Sequence, residues 1–371
     1  MLYLREQHGR VNRSGSVHCR VLILSGPILL DFEICSMTVL NDAVQQVQRN
    51  ELKILDIYYF IKPLLPHSLR LTLRGFIASR KRKRCAAVWP INEATAQRPE
   101  WLAEWPGGKR FAFVLTHDVE GKRGLDRCES LAKLEMEMGF RSSFNFVPEG
   151  EYRTPSSLRA FLSSNGFEVG VHDLYHDGTL YRSKTGFYDA ALSINEHLSQ
   201  WQAVGFRSAF MFHNLEWLKQ LDILYDASTF DTDPFEPQPD AANTIFPFWV
   251  PRPDGSGYVE LPYTLAQDST LFLVLGEKKN DIWKRKLDWI AQHGGLALVN
   301  VHPDYIAFGD RGGRAEYPVT LYKEFLAYVS AKFGDSAWCV LPREAAEFVK
   351  DALFSSTGSA EEPNTLVEDR L

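Results

Sequence analysis

From Arg110 onward, short apolar runs of strand character alternate with segments of helical period, and this alternation constrains the fold more than any other feature of the chain. Residues 110–115, 142–147 and 167–171 read as strands, with helices over 125–139 and 155–165 between them. The series continues with helix 188–204, strand 206–212, helix 215–221 and strand 223–229. It resumes with helix 281–293, strand 296–301, helix 319–333, strand 338–341 and helix 344–353. Strands joined through helices run parallel, and this many βα units predicts a closed barrel rather than an open sheet. Residues 244–275, rich in proline and aromatic side chains, interrupt the series and read as an inserted β-rich excursion.

The chain has 371 residues, enough for one barrel with an extension, and its 45% hydrophobic and 24% charged composition is that of a globular protein. The expected division is an N-terminal helical extension and linker over 1–105, a barrel over 106–354, and a polar, disordered tail over 355–371. A net charge of -6 excludes a general nucleic-acid binder, which needs a basic surface to neutralise phosphates. Cys19, Cys35, Cys85, Cys128 and Cys339 are dispersed without a CxxC pair, so neither a disulfide framework nor a cysteine zinc site is expected.

The apolar stretch 21–30 is about half the length of a spanning helix and contains Gly26-Pro27. Arginines precede it, but no small-residue cleavage site follows, so it is not read as a signal peptide, and Met37 is an alternative start. The expected location is cytoplasmic or peripheral to a membrane. Residues 40–78 favour helix, interrupted at Pro63 and Pro66, and lead into five successive cations ending at Arg84. The segment from Arg70 to Arg84, basic and interspersed with Leu71, Leu73, Phe76 and Ile77, fits two readings: peripheral contact with an anionic membrane or polymer, or a solvated helix face docked by its leucines. Residues 85–109, with Trp89-Pro90 and Trp105-Pro106, read as a linker lying against the barrel.

Chemistry concentrates just past the predicted strand ends. His172 and His176 follow the apolar run 167–171, and a spacing of four residues puts both imidazoles on one side of a helical turn, suited to sharing one metal ion. Asp118 and Glu120 follow the first strand, Arg207 lies in the fourth, an acidic cluster extends from Asp226 to Asp233, and His302 closes the strand at 296–301. In a barrel these positions share one rim.

In this order the chain resembles the polysaccharide deacetylase family, the NodB-like carbohydrate esterases, over residues 110–350. Thr116-His-Asp-Val-Glu120 stands for the acidic motif, His172 and His176 for H-x3-H, Arg207-Ser-Ala209 for R-x-P, an aspartate from the 226–233 cluster for the fourth motif, and Asn300-Val-His302 for L-x-H. The resemblance implies a distorted (β/α) barrel that binds Zn²⁺ or another divalent ion and hydrolyses an N-acetyl amide on a carbohydrate substrate. It implies Asp118 as general base, Arg207 as the arginine orienting it, and His302 as general acid. Glu120, His172 and His176 would hold the metal.

Such chemistry suits these residue types. A metal polarises an unreactive amide carbonyl and acidifies a bound water, two histidines and a carboxylate leave a coordination position open, and separate groups must take and deliver protons. The chain departs from the family pattern at Val119, where an aspartate ligand is usual, at Ala209 in place of proline, and at Asn300 in place of leucine. Other readings stand beside this one: a small-molecule linear-amide hydrolase, or a non-catalytic carbohydrate-binding member of the same fold. At residue level, Asp118 and Glu120 would simply cap the next helix, Arg207 would be a structural ion-pair partner, and Asp226, Asp231 and Asp233 would be turn residues. His213 and His293 are read as packing residues.

Overall fold

The computed structural model describes residues 67–309, 313 and 315–355. Residues 40–66 of the expected helix and 356–371 of the expected tail lie outside these. The chain divides after Arg70 into two compact units, and the second, which begins at Leu71, holds every described strand.

The strands are β1 (Phe111–Val119), β2 (Ser143–Phe146), β3 (Glu168–His172), β4 (Gly205–Arg207), β5 (Tyr225–Asp226), β6 (Phe248–Pro251), β7 (Gly257–Glu260) and β8 (Leu296–Val301). A short β9 (Ile306–Ala307) pairs with β10 (Tyr317–Pro318), and β11 (Ala337–Cys339) pairs with the start of β1. The helices are α1 (His67–Arg84), α2 (Lys122–Glu137), α3 (Ser156–Ser164), α4 (Lys184–Trp201), α5 (Leu215–Leu218), α6 (Asp281–His293), α7 (Val319–Phe333) and α8 (Pro342–Ser355).

Parallel pairing runs β8-β1-β2-β3-β4-β5-β7. The chain beyond β7 then returns to β8. Leu265 bridges Val299, the amides of Thr264 and Leu265 both donate to the Leu298 carbonyl at 3.1 Å, and the Thr264 hydroxyl donates to the Leu296 carbonyl at 2.7 Å. This seam closes the sheet into a distorted (β/α) barrel. Residues 244–275 are therefore not an excursion from the sheet: they supply the antiparallel β6–β7 hairpin, the parallel strand β7 and the closing segment. Strands β4 and β5 are shorter than the expected 206–212 and 223–229: beyond Arg207 the chain enters a 3-10 turn at Ala209–Met211, whereas beyond Asp226 it keeps only isolated pairing, through a parallel bridge between Phe230 and Tyr263.

Strand β1 explains both the core and the site. All nine of its residues are buried, and their alternation sorts them to two faces. Phe111 and Phe113 face outward onto α7, at ring-centroid distances of 5.2 Å from Phe333 and 6.2 Å from Phe325. His117, on the same face, engages Glu135 of α2 at 2.7 Å and the Val301 carbonyl at 3.0 Å, so its role is structural. Thr116 and Asp118 take the other face, inside the barrel, beside Asn300 of β8. The 85–109 segment packs on the barrel: the buried Trp105 indole donates to the Gly294 carbonyl at 2.7 Å and lies against Trp338 and Phe348. Cys85, Cys128 and Cys339 are free, and no described helix is long and apolar enough to cross a membrane.

Candidate metal centre and acid–base pair

Glu120, His172 and His176 converge at the strand ends, each offering one ligand atom within 4.8 Å of the others. His172 is the last residue of β3, and its Nδ1–H donates to the Arg207 carbonyl at 3.0 Å. That bond fixes the tautomer and turns the Nε2 lone pair inward. The His172 and His176 Nε2 atoms are both buried without a hydrogen-bond partner. His176 Nε2 lies 3.4 Å from Glu120 Oε1.

The two histidines are not brought together by a helical turn, as their spacing led us to expect. Residues 173–183 form an irregular loop in which Asp173 and His176 both adopt left-handed backbone, each with φ 58°. The Asp173 carboxylate accepts from the Leu174 amide at 2.6 Å and the Ala209 amide at 3.2 Å, tying the loop to the chain leaving β4.

Glu120 sits one residue beyond β1. Asp304 holds its backbone, accepting from the amides of Glu120, Gly121 and Gly124 at 3.0 Å each, and the Tyr305 hydroxyl donates to Glu120 Oε2. Asp304 thereby caps α2, so neither Asp118 nor Glu120 does so. Burial would raise the Glu120 carboxyl, but His302, His176 and Tyr305 hold it below the ordinary carboxylate range. Burial lowers the His172 imidazole, which favours the neutral ligand form, whereas Glu120 outweighs burial at His176 and raises it.

Asp118 stands beside this group, its carboxylate held by two amides. Asn145 of β2 donates to Oδ1 at 3.0 Å and Asn300 of β8 donates to Oδ2 at 2.7 Å. The buried Arg207 guanidinium is 3.7 Å from Asp118 Oδ1, beyond hydrogen-bond range, and has no hydrogen-bond partner. Burial raises the Asp118 carboxyl, but the charges of Arg207, His172 and His302 bring it down to about 2.

His302 follows β8, and its Nε2 is 3.7 Å from Glu120 Oε1. Its partner is Asp268, which no sequence pattern singled out. Asp268 Oδ1 accepts from His302 Nδ1 at 2.6 Å, and Oδ2 accepts from the His302 amide at 2.9 Å and the Tyr317 hydroxyl at 2.9 Å. Burial lowers the His302 imidazole, but Asp268 and Glu120 outweigh it and push it up to about 10.

The expected acidic cluster does other work. Asp226 bonds Ser228 and lies opposite Glu260, Asp231 pairs with Lys286 at 2.5 Å, and Asp233 accepts from Tyr263 at 3.0 Å. His213 bonds the Met211 and Asp240 carbonyls, and His293 bonds the Trp289 carbonyl.

No family model and no curated protein matches this chain. Among solved structures, a protein from Mycobacterium smegmatis described as a polysaccharide deacetylase superposes with a TM-score of 0.51 at 20% identity, over 72% of this chain and 97% of that one. A family 4 carbohydrate esterase from Streptomyces lividans in complex with acetate is also similar, with a TM-score of 0.36 at 11% identity over 62% and 91% of the two chains. So is a peptidoglycan deacetylase from Bacillus subtilis, at 0.37 and 11% over 67% and 95%. The fold is that of the NodB-like polysaccharide deacetylases.

Proposed function

We propose that the protein is a metal-dependent amide hydrolase that removes N-acetyl groups from an N-acetylated polysaccharide or its precursor. The observation that carries this reading is the pair of buried, unpartnered His172 and His176 Nε2 atoms facing Glu120, with a carboxylate and an imidazole of opposite proton demand beside them. Two neutral imidazoles and one carboxylate suit Zn²⁺ or a similar divalent ion and leave room for water and substrate. When bound, the ion would polarise the acyl carbonyl and acidify a water.

The chain's own residues supply the proton transfers. Asp118, ionised at neutral pH, takes a proton from the attacking water. Arg207 holds that carboxylate in its charged form. His302, kept protonated by Asp268, delivers a proton to the departing amine nitrogen.

Metal analysis coupled to acetate release from N-acetylglucosamine oligomers and polymers tests the reading. His172→Ala, His176→Ala and Glu120→Ala should lose bound metal, whereas Asp118→Asn and His302→Ala should keep metal and lose turnover. Wild-type protein that stays metal-free after zinc loading, or retains zinc but releases no acetate, would move the reading to a non-catalytic carbohydrate-binding member of the fold.

The basic end of α1 supports a second, peripheral role. Arg82 is engaged by Glu277 and Trp89, but Lys81, Lys83 and Arg84 are exposed. Attachment to an anionic membrane or polymer would appear as salt-sensitive binding to anionic vesicles, and equal binding to neutral ones would contradict it.

A further inference from the structure

Asp118 needs a fixed orientation to act as a base, and Arg207 does not provide it. Its nearest guanidinium nitrogen is 3.7 Å from Asp118 Oδ1, so it contributes charge without a directional bond. Direction comes from the strands on either side of β1, where Asp118 is in register with Asn145 of β2 and Thr116 with Asn300 of β8.

We infer that Asn300 is a positioning residue that sets the plane of the Asp118 carboxylate. Each hydrogen-bonding group of its side chain has a partner. Nδ2 donates to Asp118 Oδ2 at 2.7 Å and reaches Gln267 Oε1 at 3.4 Å, while Oδ1 faces the Thr116 hydroxyl at 3.1 Å, whose single proton it shares with the Val299 carbonyl at 3.2 Å. The amide is fully buried, and reversing it would set its oxygen against two acceptors, so its orientation is fixed. Asn145 completes the clamp at Oδ1, with room made by Gly170, where a Cβ would stand 2.2 Å from Asn145 Oδ1. With one amide hydrogen on each oxygen, the carboxylate cannot rotate without losing a buried bond, and its remaining lone pairs are held in a fixed direction.

This inference rests on Asp118 being the base, and the experiment separates the two. Zinc-loaded wild type, Asn300→Leu, Thr116→Val and Thr116→Ser are assayed for acetate release from N-acetylglucosamine oligomers, with bound zinc and melting temperature measured alongside. Asn300→Leu should lower kcat about 10- to 100-fold, the scale of a misplaced reacting group, with KM and zinc content unchanged. Thr116→Val should lower kcat less, through a loosened Asn300, and Thr116→Ser should restore it. Unchanged kcat in Asn300→Leu, or a loss matched by lost zinc, would overturn the inference. Should Asn300→Leu fail to fold, the Thr116 pair carries the same comparison. If wild type releases no acetate, the functional reading fails, and crystal structures of wild type and Asn300→Leu then decide the positioning role. A rotated Asp118 carboxylate supports it, and an unmoved one refutes it.

Discussion

The proposed acid–base pair is a case of two titratable side chains pushed apart by their surroundings. Asp118 is drawn to about 2 and His302 pushed to about 10, so at neutral pH each is in the form its proposed role requires. Asp268 is the leading charge that raises His302. Replacing it by Asn removes that charge, so the imidazolium should lose its proton at lower pH. Asp268→Asn should therefore shift the alkaline limb of the kcat profile downward in pH while zinc content stays constant; an unmoved limb would detach Asp268 from the acid. Asp118, Glu120, His172, His176 and His302 were legible in the sequence because each sits at, or within a few residues of, the end of a recognisable strand. Asp268 was not. It reaches His302 only because the chain beyond β7 returns to β8, a pairing that no local period encodes. Asn300 was visible only as a departure from a family pattern, and its bond to Asp118 depends on the β1–β8 register.

At the scale of elements, the start of α2 and the end of β1 are fastened by one side chain. Asp304 accepts the amides of Glu120, Gly121 and Gly124, and a Cβ at Gly124 would stand 2.0 Å from Asp304 Oδ2. These three amide bonds hold the carboxylate against burial and the nearby Glu120 charge, which together raise Asp304 from its ordinary value. Asp304→Ala should destabilise by about 2 to 3 kcal/mol in denaturant unfolding and weaken zinc binding, because Glu120 loses its backbone anchor. Unchanged zinc affinity in that variant would show that Glu120 is held by other means. The βα order was readable from periodicity, yet the lengths of β4 and β5 were not. Apolar residues such as Ala209 and Met211 continue the strand pattern but are buried in a 3-10 turn beyond β4.

The molecule buries several carboxyl groups away from the proposed chemistry, among them Asp231, Asp233, Glu260 and Glu168, and burial raises each, so each gives stability a pH dependence of the same sign; Glu168 shows how. Glu168 accepts from the Tyr225 hydroxyl and the Arg343 amide at 3.0 Å each, and burial pushes its carboxyl from 4.5 up to about 7. Between those values the folded chain holds a proton that the unfolded chain releases, so stability is full below the lower value and is lost as pH rises through the upper one, by about 3 kcal/mol at most. The melting temperature should fall from pH 4.5 to 7.5 more steeply in wild type than in Glu168→Gln; parallel slopes would show that Glu168 ionises normally. The seam at Leu265 and Val299 has another kind of consequence. Six strand pairings of the ring are parallel ladders, but the seventh is a single bridge with a few bonds from Thr264 and Leu265, and Asp268 lies three residues beyond it. Asp268 adds bonds of its own to this joint, from the His302 imidazole and amide and the Tyr317 hydroxyl, so the carboxylate that partners His302 also ties the closing segment to the end of β8. Closing the ring and placing the partner of His302 are thus a single structural event: whatever shifts Thr264 or Leu265 reaches Asp268 three residues further on.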